Sequence, residues 1–341
     1  MKKLRVGIIG AGRITIMHLG SIDYMKDEAE LVCICDIIKE RANEVAEKYH
    51  CRAYYDYVEM LEKEQLDVVH VCTPHYLHIP MVTACIEKGV AVITEKPMGI
   101  NYEESLKAVE LAEKKGVLFG VIFQCRYNDS SILVKEAFES GALGKLKGVV
   151  STLTWSRPDD YYLQSDWKGT WDKEGGGVVI DQVIHSLDLA NWIIAEEIES
   201  VDASMANRGH EIVKVEDTAE GMIRYKNGIK YNFYCTNNYV FDEPIEIKFF
   251  AEKGKALLTY DYAVIQYNDG RVERVETKAP AVVYGGGKEY WGVMHAKQIE
   301  QFYHSVQGKE ELQISGREAL KTQRIVNAIY DSAKSGKIIK F

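Results

Sequence analysis

The chain lacks any uninterrupted run of about 18 apolar residues, the length a membrane span requires. It has no excess of basic side chains: 42 Lys and Arg stand against 51 Asp and Glu, a net charge of −9. That sign excludes the basic footprint of a nucleic-acid binder and argues against adhesion to anionic membranes, so neither is an expected partner. There is no C-x-x-C pair. The seven cysteines are scattered through strand-like segments such as "LVCICD" and "VVHVCTP", without the spacing of a disulfide framework or a zinc site. No metal is therefore expected, and buried reduced thiols in a cytoplasmic protein are. Internal repeats and low-complexity tracts are also absent. The opening "MKKLRVGIIGAG" sets two lysines before an apolar stretch, as a secretory signal does, but the stretch is short, Arg13 interrupts it and no small-residue cleavage site follows. It reads as a buried first strand.

What is present is an ordinary globular composition, 46% hydrophobic and 27% charged, in 341 residues, a length comfortable for two domains. Residues 4–9, 31–35, 67–72, 90–94 and 117–122 are short continuous apolar runs, separated by charged helix-period stretches such as "KERANEVAEKYH". That alternation predicts βαβ units around a parallel sheet buried on both faces, a doubly wound α/β domain over residues 1–123. Beyond it the texture changes to strands rich in Val, Thr and Tyr, with hairpin signals in "YKNGIKY" and "YNDGRVERV". Residues 124–341 are expected to form an α+β domain with a large, mostly antiparallel sheet, and two late helices over 289–307 and 316–335.

"RVGIIGAGRIT" places Gly10 and Gly12 directly after a strand and before helical sequence. In the G-x-G-x-x-G fingerprint the first glycine makes the tight turn, the second lets the backbone approach a pyrophosphate, and the helix N-terminus supplies N–H donors. Arg13 and Ile14 lie in the same turn. Thr15 holds the third position, a departure expected to loosen helix packing slightly. Asp36 ends the second strand, where an acid binds a ribose hydroxyl. Ile37 and Ile38 follow it rather than Arg or Ser, so NAD is expected over NADP; a reach of Arg13 or Arg41 toward a phosphate would reverse that choice.

"VAVITEKPMG" leaves a strand with Glu95, Lys96 and Pro97 at its C-terminal end, the side on which open α/β sheets bind ligands. "VCTPHYLH" does the same one strand earlier, with Thr73, Pro74 and His78. His75 and His78 are three apart, but no carboxylate or cysteine of ligand spacing accompanies them. Further on, "GGGVVIDQVIH" puts Asp181 and His185 four apart, on one face of a helix.

Together "GIIGAGRI", "CTPHYLH", "TEKP", "FQCRYN", "WKGTWDKEGGGVVIDQVIHSLDLANW" and "KEYWGVMH" resemble the glucose-fructose oxidoreductase and inositol dehydrogenase family, Gfo/Idh/MocA, over nearly the whole chain. The resemblance implies a two-domain NAD(P)-dependent dehydrogenase of sugars or cyclitols. Its catalytic residues are expected to be Lys96, Asp181 and His185, with Asp181 and His185 facing Lys96 and the nicotinamide. Gly175 to Gly177 would allow close backbone approach at the helix entrance, and Asp188 would be structural.

His185, with an ordinary pKa of about 6.5, suits a general base, while Lys96, ordinarily near about 10.4, suits stabilisation of an alkoxide. The sequence leaves open which of them takes the proton. Cofactor contacts are expected from Gly10, Gly12, Arg13, Ile14, Asp36, Thr73, Pro74, His78, Glu95 and Lys96. Gln124, Arg126, Asn128, Arg157, Tyr161, Trp167, Lys288 and His295 are expected to face a polyol or sugar, with Trp155, Trp167 and Trp171 as stacking faces. Arg157, Lys168 and Lys288 leave room for an anionic or nucleotide-linked sugar. Family analogy also makes the antiparallel sheet a dimerisation face, so a homodimer or homotetramer is expected. Two alternatives stand beside this reading: an NAD-retaining enzyme that cleaves glycosidic bonds, and a non-catalytic nucleotide-binding sensor. Intact Lys96, Asp181 and His185 count against the sensor.

Overall fold

A computed structural model describes residues 2–280, 282 and 294–341. The chain divides into two units, Met1–Gln124 with Ala279–Lys321, and Cys125–Lys278 with Thr322–Phe341. Two consecutive segments, 1–123 and 124–341, were expected; the chain instead returns to its first unit late.

The first unit is a six-stranded parallel sheet. Its strands are β1 (Leu4–Ile9), β2 (Ala29–Cys35), β3 (Arg52–Tyr54), β4 (Val68–Val71), β5 (Ala91–Thr94) and β6 (Phe119–Val121), in the order β3-β2-β1-β4-β5-β6. The apolar runs form these strands because both faces are covered: Val6, Ile8, Val68, Val69, Val92 and Ile93 have no exposed surface. The intervening amphipathic stretches form α1 (Thr15–Tyr24), α2 (Lys39–Tyr49), α3 (Tyr57–Lys63), α4 (His78–Glu87) and α5 (Tyr102–Lys115). Asp56 and Asn101 cap α3 and α5 at their N-termini through the amides of Val58 and Glu104. The strand order reverses direction between β1 and β4, so their C-terminal ends flank a ligand crevice. β3 was not anticipated. It is a three-residue edge strand with no fully buried side chain.

The late return has a packing cause. Helix α9 (His295–Val306), within the expected late helix, inserts Ile299, Phe302 and Tyr303 into the core that holds Leu4, Val6, Ile8, Leu19 and Ile22. A Cβ on Gly120 of β6 would stand 2.9 Å from the Phe302 ring. The Gln298 amide donates to the Val121 carbonyl at 2.7 Å and its oxygen accepts from the Phe123 amide at 3.0 Å, satisfying backbone groups at the end of β6.

The second unit is built on a nine-stranded sheet. Its strands are β7 (Leu146–Thr154), β8 (Ile198–Ala206), β9 (Thr218–Tyr225), β10 (Lys230–Thr236), β11 (Glu246–Ala251), β12 (Gly254–Leu258), β13 (Tyr262–Tyr267), β14 (Val272–Glu276) and β15 (Ile339–Lys340), in the order β14-β13-β12-β11-β7-β10-β9-β8-β15. All its pairs are antiparallel except β7 with β10. The two hairpin signals turn through Gly228 and Gly270, each at φ +89°, as a tight turn demands. Helices α6 (Asp129–Glu139), α7 (Asp159–Leu163) and α8 (Ile184–Ile194), and the later part of α10 (Gly316–Ser335), complete this unit.

If α9 is part of the first unit's core, Phe302→Ala should cost about 3–5 kcal/mol, read as a lowered denaturation midpoint in urea. A change below about 1 kcal/mol would contradict the assignment.

Candidate active site

In the first unit, β1 runs into a turn whose geometry only glycine tolerates. Gly10 has φ +101°, and a Cβ there would lie 2.5 Å from the Cys72 carbonyl oxygen. A Cβ on Gly12 would meet nothing within 4 Å, which is the open space a phosphate group needs. Helix α1 begins three residues later, and no side chain among the described residues caps it; a helix N-terminus is a ready anion site. Thr15 does not loosen this corner. Its buried hydroxyl donates to the Gly10 carbonyl at 2.9 Å, tying the helix start to the turn. Asp36 accepts from the Ala11 amide at 2.7 Å and the Ile38 amide at 2.8 Å, so it braces the loop while standing at the end of β2. Arg13 and Arg41 are exposed, and Ile14 packs partly against the core.

The ends of β4 and β5 are joined through His78. Its Nδ1 lies 2.7 Å from the Pro97 carbonyl and its Nε2 2.7 Å from the Thr73 carbonyl. Burial pushes this imidazole below its ordinary pKa, and the two carbonyls pull it back. His78 therefore ties the Thr73–Pro74 turn to the Glu95–Lys96–Pro97 turn from inside; it does not present itself to a ligand. Between residues 92 and 99, Lys96 alone is not buried.

Besides Thr15 and His78, two further expectations change in this unit. Glu95 turns into the interior, where its Oε1 accepts from His18 Nε2 and His295 Nε2, each at 3.0 Å. His295, expected to face substrate, is 1% exposed and committed to that carboxylate. Lys288 lies outside the described residues.

In the second unit the glycines at 175–177 bring a helix entrance against its neighbours. A Cβ on Gly176 would stand 2.0 Å from the Tyr330 hydroxyl, and one on Gly177 would stand 1.9 Å from the Glu216 carbonyl oxygen. The Glu216 carboxylate accepts from the Gly177 and Val179 amides at 2.9 to 3.1 Å and from the Tyr330 hydroxyl at 2.9 Å. Burial raises this carboxyl to about 7 against the pull of those donors, and it caps the helix N-terminus through hydrogen bonds. The first turn, Val179–Val183, is π-helical and runs into α8; such turns are frequent at functional sites.

Along residues 174–191 every residue is buried except Asp181 and His185. The Tyr260 ring stands perpendicular to the His185 imidazole, with centroids 6.4 Å apart.

Asp181 is the centre of a polar cluster. Its Oδ2 accepts from the Tyr161 hydroxyl at 2.7 Å and from Lys168 Nζ at 3.1 Å, and Lys168 also lies 2.6 Å from the Tyr161 oxygen and 3.6 Å from Glu174. Lys168 is opposed by burial but held well above its ordinary pKa by Asp181, Tyr161 and Glu174. Its charge is answered within the protein, so it no longer argues for an anionic substrate. The Trp167 ring lies 4.8 Å from the same ammonium.

Other expected substrate contacts have partners inside the fold. Arg126 donates twice to Asp188, both at 2.7 Å, and Thr322 donates to the same carboxylate at 2.8 Å, a buried structural pair. Asn128 donates to the Tyr260 carbonyl at 3.0 Å. Arg157 pairs with Asp242 at 3.0 Å and lies over the Trp155 ring. Trp171 donates to the Lys214 carbonyl and packs edge-on against Tyr330, so it is not a stacking face. Gln124 is buried. The sequence patterns do not single out His18, Glu174 or Glu216; of these only Glu174 lies inside a segment quoted above, "WKGTWDKEGGGVVIDQVIHSLDLANW".

Residues 4–123 match an oxidoreductase family with an NAD-binding Rossmann fold, GFO_IDH_MocA, and residues 132–257 match the C-terminal domain of the same family. The chain is 30% identical over 262 residues to myo-inositol 2-dehydrogenase of Thermotoga maritima, covering 74% of each chain. It is 27% identical over 354 residues to D-glucoside 3-dehydrogenase of Escherichia coli, covering 98% of this chain and 96% of that one. The solved WlbA dehydrogenase from Bordetella pertussis, in complex with NADH and UDP-GlcNAcA, aligns at a TM-score of 0.87 with 28% identity, covering 100% of this chain and 99% of that one.

The cluster around Lys168 predicts a pH dependence. Burial, with Asp181 and Glu216 nearby, raises Glu174 to about 8 against the pull of Lys168. A carboxyl whose folded pKa is raised stabilises the fold in its protonated form. That contribution is full below the ordinary carboxyl range and is lost as pH rises toward about 8. Melting temperature should therefore fall between pH 5 and pH 8, and Glu174→Gln should flatten the decline; an unchanged slope in the variant would contradict the assignment.

Proposed function

Because the chain belongs to the Gfo/Idh/MocA family of oxidoreductases, we propose that it is an NAD-dependent dehydrogenase oxidising a secondary alcohol of a sugar or cyclitol. The observation that carries the site assignment is the pair of part-exposed side chains, Asp181 and His185, on an otherwise buried helix face. A helix that seals every neighbour from water and leaves an acid and an imidazole accessible is built to present them. The named relatives act on myo-inositol and a D-glucoside, which supports a small polyol or sugar as substrate.

The residues fit the cofactor. Gly10, Gly12 and the start of α1 would receive the pyrophosphate, and Asp36 the adenosine ribose, where its charge disfavours a 2′-phosphate. NAD, when bound, takes the hydride that leaves the carbinol carbon. The protein must manage the proton that leaves oxygen. His185 accepts it as general base, and Lys96 donates a hydrogen bond to that oxygen as negative charge develops on it. Asp181, oriented by Tyr161 and Lys168, binds a neighbouring hydroxyl and fixes the ring that carries the reacting carbon.

Cytoplasmic residence and self-association belong to the same proposal. None of the seven cysteines, all among the described residues, is in a disulfide. The exposed side chains of Val150, Tyr234 and Phe250 lie on neighbouring strands β7, β10 and β11, an apolar patch suited to a second copy. No helix among the described residues is long and apolar enough to cross a membrane.

Lys96→Met and His185→Ala should each lower turnover by roughly a hundredfold or more while NAD affinity stays near wild type. Because the two act on one hydroxyl, the double variant should be little worse than the poorer single variant. Turnover would be followed by NADH fluorescence against a panel of sugars, inositols and nucleotide sugars, with NAD dissociation constants for all four proteins. Near wild-type turnover in either single variant would make that residue structural. Products formed without net NADH would favour the NAD-retaining alternative.

A further inference from the structure

A chain of buried polar side chains lies beneath the Lys96 turn, and the scheme above does not use it. Beyond the contacts of Glu95 with His18 and His295, His18 Nδ1 lies 2.8 Å from His70 Nδ1 of β4, and His70 Nε2 lies 3.0 Å from the Tyr303 hydroxyl of α9. His18 and His70 have no exposed surface, and Tyr303 and His295 have 1%.

Once Glu95 is ionised and His18 neutral, the chemistry of these groups fixes the protons between Glu95 and Tyr303. An ionised carboxylate only accepts, so both Nε2 atoms must carry hydrogen toward Glu95. Neutral His18 then has its lone pair at Nδ1, and His70 must donate from its own Nδ1. That leaves His70 Nε2 as an acceptor, so the Tyr303 hydroxyl donates to it. With Glu95 ionised and His18 neutral, one assignment satisfies every contact from Glu95 to Tyr303. The electrostatics agree: burial pushes His18 and His70 below their ordinary range and Tyr303 above it, so all three are neutral. Burial alone would raise Glu95, but the His18 and His295 donors hold it well below the ordinary carboxylate range.

His18, Glu95 and His295 also offer three ligand-type atoms within 4.8 Å of one another. Contacts of 2.8 to 3.0 Å continuing without a break through His70 to Tyr303 are those of hydrogen bonds, and no ion is needed to satisfy them.

We propose that Tyr303, His70, His18 and His295 form a tautomer-locked relay that keeps Glu95 ionised and thereby positions Lys96. The second Glu95 oxygen accepts from the Lys96 backbone amide at 3.2 Å. The relay thus ties the turn bearing Lys96 to α1, the helix that leaves the glycine-rich loop, and to α9. These are positioning residues, and the inference rests on the reading that Lys96 acts at the alcohol oxygen. Loss of the His18 donor leaves the Glu95 anion desolvated, so its pKa must rise. The other titratable groups facing Glu95 are His70 of β4, Cys72 just after that strand, His78 of α4, His295 of α9 and the adjoining Lys96. Wild-type Glu95 loses its charge only as pH falls through a depressed value; in His18→Phe the loss moves upward into the working range.

Imidazole 15N spectra of the full-length enzyme test the relay directly. His18 should be neutral with its proton on Nε2, and His70 neutral with its proton on Nδ1, at pH 7 to 8. A doubly protonated His18, the opposite tautomer of His70, or one equivalent of a divalent metal in the purified protein would overturn the relay. For function, His18→Phe and Glu95→Gln should lower kcat roughly tenfold to a hundredfold with NAD affinity within about twofold of wild type, and His18→Phe should add an acidic limb to the kcat profile. A folded Glu95→Gln enzyme with wild-type kcat would sink the positioning role. Should Lys96→Met retain activity, the site reading fails while the spectra still decide the relay, so the two failures are distinguishable.

Discussion

A carboxylate taken out of water must be met by donors, and both units of this protein are organised around that demand. Asp36 is met by two backbone amides and closes the glycine-rich turn. Glu95 is met by two imidazoles, and Asp188 by the forked guanidinium of Arg126 together with Thr322. Glu216 is met by the amides of a helix entrance and a tyrosine. The arrangements at Glu95, Asp188 and Glu216 join elements far apart in sequence, so removing one partner leaves a buried carboxyl short of donors and disturbs the turn or helix it anchors.

Much of the fold was legible because hydrophobic period is a local property. The apolar runs separated by amphipathic stretches specify parallel strands buried on both faces, and "KNG" and "NDG" specify the hairpins. β3 escapes a sequence reading because three edge residues, one exposed and two half-buried, leave no periodic signal. Helix α9 was foreseen as a helix but placed in the wrong unit, because the amphipathic pattern of Ile299, Phe302 and Tyr303 records that one face is buried and not what covers it. The π-helical turn at Val179–Val183 was likewise invisible: it depends on Glu216 and Tyr330 seating the glycines, contacts that span tens of residues or more.

The same limit governs the site. Glycine spacing, the strand-end Lys96 and the Asp181–His185 pair are short motifs, readable within a dozen residues. Arginine, tryptophan and histidine near them all read as ligand-facing, since type and neighbourhood do not disclose a partner. Arg126, Trp171 and His295 proved to have partners inside the fold. Tyr161 and Lys168 are close to the expected place but act on Asp181, and they make that carboxylate a fixed acceptor. What distinguishes Lys96, Asp181 and His185 is access: each keeps part of its surface open amid buried neighbours.

A polyol carrying deuterium on the carbinol carbon it loses hydride from, taken from the substrate panel, tests hydride transfer most directly. The label is expected on C4 of the nicotinamide in the NADH formed, with a primary isotope effect on kcat/KM when the chemical step limits turnover. Deuterium released to solvent, with unlabelled cofactor recovered, would contradict a dehydrogenase acting at this site.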